Sequence, residues 1–236
     1  MEHDTEIISH QPMQRISRDF YKIVVVGDYG VGKSSVVSRF CENFFRENHA
    51  TTVGIDYKVR TVTLPRDPQR KIKLELFDTA GLDKFRTVAS NYYQNAAGVA
   101  IVYDLTDEQS FANVENYLRE LKYFIPPDAE IVLIGNKADL ADAAEGAARR
   151  VDFETADKFS ASIGLSVYEV SAKTGQNVDA AFLELAQRIR EKIEVGKYDE
   201  TPLNGNDIFG GEEIATDQTE QQRKGLRNIW LCCGTV

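Results

Sequence analysis

The apolar positions of this chain fall into short runs that alternate with segments of helical spacing. "YKIVVVG" (21–27) reads as a strand and "KSSVVSRFCENF" (33–44) as a helix. "IDYKVRTVTL" (55–64) and "RKIKLELFD" (70–78) form a hairpin-like pair, with Pro65 and Pro68 of "LPRDPQR" marking the turn between them. The same alternation continues as "GVAIVYDL" (98–105) then "SFANVENYLRELKYF" (110–124), and "EIVLIGN" (130–136) then "VDFETADKFSASIG" (151–164). A last round runs from "SVYEVSA" (166–172) into "NVDAAFLELAQRIREKIE" (177–194). A β-α repeat with one antiparallel strand predicts an α/β fold, a mostly parallel sheet with helices on both faces. "ADLADAAEGAARR" (138–150) reads as an extended surface loop.

The pattern fails at both ends. Residues 1–19 are polar and aperiodic and are expected to be a flexible leader. The folded domain is expected over 20–195. Residues 196–236, rich in Gly, Asn, Asp, Glu, Gln and Thr, read as a flexible tail. With 236 residues, 42% of them hydrophobic and 28% charged, the chain suits one globular domain with tails. A net charge of -9 argues against nucleic acid as a partner, because its phosphates would be repelled. The three cysteines, Cys41, Cys232 and Cys233, make no disulfide framework and point to a reducing compartment, best the cytosol. The N-terminus lacks a signal-type apolar core, and no stretch is long enough to span a bilayer, so membrane attachment would need other means.

The chemistry is concentrated in three loops. "GDYGVGKS" (27–34) follows the first strand and opens the first helix with G-x-x-x-x-G-K-S spacing. Such a loop wraps backbone N–H groups around a nucleotide's phosphates. Gly27, Asp28, Tyr29, Gly30, Val31, Gly32, Lys33, Ser34 and Ser35 are therefore candidate nucleotide contacts, with Lys33 on phosphate and the Ser34 hydroxyl on Mg²⁺. A chance glycine turn is the bland alternative, and the flanking strand and helix weigh against it. "NKAD" (136–139) ends the strand "EIVLIGN". A carboxylate at Asp139 accepts two hydrogen bonds from guanine's ring N–H and amino group, a pair that adenine does not offer. Lys137 would cover the base plane, and "SAK" (Ser171, Ala172, Lys173) would bring backbone N–H groups near the guanine carbonyl. Each short string is weak singly; in this order after a phosphate loop they are jointly strong.

With these motifs the chain resembles the small GTPases of the Ras superfamily, and within it the Rab family, over residues 20–194. The further carriers are "VGIDYKVRT" (53–61), "KLELFDTAG" (73–81), "FRTVASNYY" (85–93), "VYDLTDEQSF" (102–111) and the terminal Cys pair. The resemblance implies a Ras-like fold of six strands, one antiparallel, and about five helices. It implies that Thr52 and Asp78 join Ser34 at Mg²⁺, that Gly81 meets the γ-phosphate, and that Phe45 and Asn136 help hold the guanine. It also implies that Tyr57, Phe77 and Tyr92 present an effector surface, with burial the larger part of Phe77's role. "LCCGTV" (231–236) resembles the doubly geranylgeranylated Rab ends, through Cys232 and Cys233.

The implied function is a GTP/GDP switch in vesicle traffic, a monomer on the cytoplasmic face of an intracellular membrane that cycles with the cytosol. Its implied partners are an exchange factor, a GTPase-activating protein, a GDP-dissociation inhibitor or prenylation escort protein, and effectors of the GTP state. Lys33, Thr52, Gly81 and the residue at 82 would carry catalysis. Two positions depart from the family. Leu82 stands where relatives have a water-orienting glutamine, and Tyr29 occupies a loop position that is usually small. Leucine cannot position water, so the intrinsic rate is expected to be low. Either the protein stays loaded with GTP, as a slow hydrolase or a scaffold without useful turnover, or an activating protein supplies both arginine and glutamine. An ATP-using phosphate-loop kinase is disfavoured by Asn136 to Asp139 and by the missing lid-type segment.

Overall fold

The computed structural model describes residues 20–47, 52, 54–81, 92–143 and 149–194. Leu82, Cys232, Cys233, the expected leader, the expected tail and residues 144–148 of the expected surface loop lie outside the described residues.

The run from Ile23 to Val26 makes the central strand. β1 (Phe20–Val26) is built of aromatic and β-branched residues around Lys22, types that suit a pleated strand. Their side chains alternate: Tyr21, Ile23 and Val25 enter one core, and Val24 and Val26 the other. The other strands are β2 (Ile55–Leu64), β3 (Asp67–Thr79), β4 (Gly98–Asp104), β5 (Glu130–Asn136) and β6 (Ser166–Glu169), in the six-stranded order β2-β3-β1-β4-β5-β6. β2 pairs antiparallel with β3, and every other pairing is parallel. β4 is buried at every residue, which is why its sequence has no polar residue before the terminal Asp104.

Helices close both faces. α1 (Lys33–Glu42) and the last helix, named α6 below, supply Val36, Val37, Phe40, Phe182 and Leu185 to the core on one side. On the other side lie α2 (Glu108–Ala112), α3 (Val114–Leu121), α4 (Ala138–Ala141) and α5 (Phe153–Ser162), with Tyr117, Leu118, Leu121 and Ala156 inward. α6 (Val178–Glu194) meets α1 through Phe40 and Phe182, whose ring centroids are 4.4 Å apart. β1 lies between β3 and β4; after β1 the chain passes to the β2–β3 side of the sheet, and after β3 it crosses to β4, so the loop after β1 lies at a topological switch point, where open α/β sheets bind ligands.

Three local expectations change. The helix expected over 110–124 is two pieces that meet at Asn113, whose side-chain amide donates to Asp28 Oδ2 at 2.7 Å. Pro68 lies within β3 rather than in the turn. The β2–β3 register shifts there, Leu64 facing Asp67 and Thr63 facing Lys71, and β3 begins pairing with β1 only at Lys73. A residue without an N–H is tolerated at such an unpaired, bulged end. The segment read as an extended loop from 138 begins with the single turn α4, whose Ala141 N–H donates to Lys137 O at 3.0 Å.

Candidate nucleotide site

Backbone conformation opens the phosphate end. Gly32 caps α1 with φ 93°, and a Cβ there would stand 2.4 Å from Asn136 Nδ2, so both dihedral and space demand glycine. No side chain caps the helix and no acidic residue lies in its first turn, which leaves its N–H groups and its positive dipole end open to an anion. Lys33, only 6% exposed, donates from Nζ to Gly27 O at 2.9 Å and Asp28 O at 2.8 Å. Burial lowers its pKa to about 8, against the opposing pull of the Asp78 and Asp28 carboxylates. Gly81 closes in from β3: a Cβ on it would come within 2.5 Å of Lys33 Nζ and 2.7 Å of Tyr29 N. The loop is thereby packed against the residue that follows "DTA".

Beside Lys33 sit the oxygens proposed for a metal. Ser34 Oγ and Thr52 Oγ1 are 2.8 Å apart, and the Ser34 hydroxyl also bonds the Asp78 side chain. Asp78 is 2% exposed, and among the described residues nothing hydrogen-bonds its Oδ1. Burial raises its carboxyl to about 6, opposed by the Ser34 bond and the Lys33 charge. An orphaned carboxylate oxygen beside two hydroxyls is a hard, all-oxygen donor set. It fits Mg²⁺, which is commonly held by one or two carboxylates together with substrate phosphates.

The base end is held by side chains that bond each other. Asn136 donates from Nδ2 to Val31 O at 2.9 Å and accepts at Oδ1 from Ala172 N at 3.1 Å, so it ties the phosphate loop to the 171–173 loop. Asp139 accepts at Oδ1 from Ser171 Oγ at 2.6 Å. Lys137, at φ 69°, places Nζ 2.6 Å from Asp104 Oδ2 on β4. Phe45, Lys137, Asp139, Ala172 and Lys173 line one cleft of about 480 Å³ together with Gly30, Gly32, Lys33, Ser34, Ser35, Thr52 and Gly81. Tyr29, 61% exposed, stands on its rim.

Several expected residues lie behind the cleft rather than in it. Both Asp28 oxygens are taken from α3, by Asn113 Nδ2 at 2.7 Å and Tyr117 OH at 3.0 Å, so this carboxylate braces the loop and does not face the cleft. Val31 and Ser171 are buried and act through Asn136 and Asp139. Sequence reasoning missed Arg46, Glu47, Thr79 and Leu140, which also line the cleft, and the braces Asp104, Asn113, Tyr117 and Arg39. Asp104 lies in the quoted "VYDLTDEQSF", but its partner is 33 residues away, beyond any local pattern. Away from the cleft, Tyr57, Phe77 and Tyr92 stack in a row, with centroids 5.1 and 6.0 Å apart; Phe77 is buried and Tyr57 exposed.

A strand, a glycine loop and a helix N-terminus at the switch point of an open α/β sheet, with Lys33 turned into the loop, define a phosphate-loop nucleotide-binding protein. Residues 22–191 match the Ras family, and the chain belongs to it: it is a small GTPase of the Ras superfamily, a GTP-binding switch of the GTP-hydrolysing kind. It is 37% identical over 204 residues to Ras-related protein Rab-8A of Gallus gallus, covering 86% of this chain and 92% of that protein. Over 173 residues it is 40% identical to Ras-related protein RABD2a of Arabidopsis thaliana, covering 73% of this chain and 81% of that protein.

Proposed function

We propose that the protein is a Rab-type switch that binds GTP with Mg²⁺ in this cleft and hydrolyses it slowly by itself. One observation carries the reading: phosphate-loop residues, Thr52, Gly81 and the base-side residues Asn136, Lys137, Asp139, Ala172 and Lys173 line a single cleft. Asp139 has one carboxylate oxygen oriented by Ser171 and would accept from guanine's ring N–H and amino group. Lys33 would exchange its two carbonyl partners for phosphate oxygens and stabilise charge developing on the transferred group. Ser34, Thr52 and Asp78 would hold Mg²⁺, which when bound supplies charge neutralisation at the phosphates.

Switching would act through the described residues at the edges of the two loops. Thr52 reaches Ser34 by one hydroxyl bond, Ala80 N donates to Gly54 O at 3.0 Å, and Gly81 abuts Lys33. A γ-phosphate that engages Thr52 and Gly81 would fix both segments, and its loss would release them. The neighbouring Tyr57, Phe77 and Tyr92 would report that change to effectors. Exchange factor, activating protein, GDP-dissociation inhibitor or escort protein, and lipids at Cys232 and Cys233 complete the proposed cycle at an intracellular membrane. Leu82 favours a second reading, a scaffold that stays loaded with GTP and recruits effectors without useful turnover.

Competition binding tests the nucleotide. Labelled GDP should be displaced by GTP and not by ATP, and Asp139→Asn should weaken GTP binding by about 2–4 kcal/mol, because a charge-assisted pair becomes mismatched. Displacement by ATP at equal strength in the unsubstituted protein would refute guanine specificity.

A further inference from the structure

Arg39 lies on α1, one and a half turns beyond Lys33, and its side chain leaves the helix for the base end of the cleft. Nε donates to Ala172 O at 2.8 Å, Nη2 to Lys173 O at 2.6 Å, and Nη1 to Asn43 O at 3.1 Å and Asn43 Oδ1 at 2.9 Å. All three nitrogens of the guanidinium are therefore used, two of them on consecutive carbonyls of the loop whose residues line the cleft. The same loop is held from its other side by Asn136 on the Ala172 N–H, and it carries Ser171, which orients Asp139. Gly175, with φ 89°, lets the loop turn against the Arg39 stem, where a Cβ would lie 3.5 Å from Cδ. Arg39 reaches none of the surfaces where phosphate or metal would bind. Its contacts are all to backbone or to Asn43.

We infer that Arg39 is a positioning residue for base recognition, joining the phosphate-binding helix to the base-binding loop so that Ser171 presents Asp139 at a fixed angle. The inference rests on the guanine-nucleotide reading above and extends it. α1 is a rigid rod carrying Lys33 and Ser34 at one end and this fork near the other, so the two halves of the cleft are set by one helix. Without the fork, residues 172–173 lose both carbonyl anchors to α1, Ser171 moves with them, and Asp139 is less well aimed. A lysine keeps the charge but is a point donor that reaches one carbonyl, not two.

The test compares the unsubstituted protein with Arg39→Lys and Arg39→Gln, with Arg66→Gln as a control. Arg66 is an exposed arginine of the β2–β3 turn paired with Glu184 and Glu191, far from the cleft in the fold. Two quantities are read: the dissociation rate of labelled GDP in Mg²⁺ buffer, and the ratio of affinities for GDP and inosine diphosphate, which lacks the amino group that Asp139 would accept from. Arg39→Gln should speed GDP release about tenfold, as expected for loss of a charge-assisted hydrogen bond, and should narrow the GDP preference. Arg39→Lys should fall between, and Arg66→Gln should change neither. If Arg39→Gln melts well below the parent, Arg39→Lys carries the comparison. Unchanged release, or faster release with an unchanged GDP-to-inosine ratio, would overturn the coupling to the base. Failure of the unsubstituted protein to bind GDP at all would overturn the nucleotide reading together with it, and is seen before any variant is made.

Discussion

On the proposed reading, Lys33 and Leu82 would divide the work of the site between binding and chemistry. Lys33 is buried with its ammonium satisfied by two loop carbonyls, so burial and not a missing partner draws its pKa to about 8. Phosphate anions arriving there would favour the ammonium further and draw its pKa back up. The Leu82 side chain has no donor or acceptor and would offer nothing comparable to an attacking water. On the proposed reading the defect would belong to kcat and leave affinity intact, because Lys33, Ser34 and the loop backbone keep their binding groups. Leu82→Gln is expected to raise intrinsic phosphate release by about 10-fold or more in a single-turnover assay on preloaded protein, at unchanged nucleotide affinity. An unchanged rate with GTP still bound would mean that another group already orients the water. Tyr29 acts differently: exposed on the rim, it would obstruct an arginine entering from an activating protein, so Tyr29→Gly should matter chiefly when that protein is present.

At the scale of elements, α1 and α6 form one layer whose joint is aromatic. Phe40 and Phe182 are both buried, their rings 4.4 Å apart, and the Arg60 guanidinium lies 4.4 Å over Phe40 while pairing with Asp179 on α6. Phe182→Ala removes the ring from this joint and leaves a cavity. The expected loss is about 3–5 kcal/mol, read as a fall in melting temperature of roughly 2–4 °C per kcal/mol for a domain of this size. The effect should be seen equally with and without nucleotide if the joint serves stability alone. A larger loss in the nucleotide-free protein would instead show that α1 is held partly by its ligand. The opposite face is organised around polar bonds as well as apolar packing. Asp28 reaches α3 through Asn113 and Tyr117, and Arg149 bonds Asp142 and Glu169, fastening the end of the 138–150 segment to β6 just before Ser171. That segment is therefore anchored at both described ends to elements that carry the base loops.

For the whole molecule, the acidic body and the Cys pair pull in different directions. A net charge of -9 gives little electrostatic attraction to an anionic leaflet, so retention at membranes would rest on covalent lipid. Two chains suffice for stable anchoring where one is marginal. Changing Cys232 and Cys233 both to Ser should shift the protein from membranes to cytosol in fractionated eukaryotic cells, and changing one should weaken retention. Two unmodified thiols in the membrane-bound fraction, read by mass spectrometry, would rule out this anchor. No helix among the described residues is long and apolar enough to cross a membrane.

The sequence by itself determined the order of strands and helices, the single antiparallel pairing and the three cleft loops, because each depends on local spacing: an apolar run, a glycine pattern, a short polar string after a strand. It also put Lys33, Ser34, Asn136 and Asp139 in plain view. Local spacing failed where a distant partner intervened. Asn113 and Asp28 bond each other across 85 residues, and Pro68 stands in β3 where the register to β2 shifts and pairing with β1 has not begun. The tertiary structure alone decided which of the motif residues face the cleft and which stand behind it. Ser171 and Asp28 have the residue types of ligands, yet their polar atoms are spent on neighbouring elements, since a buried donor or acceptor must be paired and the nearest partners come from elsewhere in the fold, and Asn136, although it lines the cleft, spends its amide on the two loops beside it. Arg39, 133 and 134 residues from the carbonyls it holds, could be recognised only once folding had brought α1 against the loop after β6.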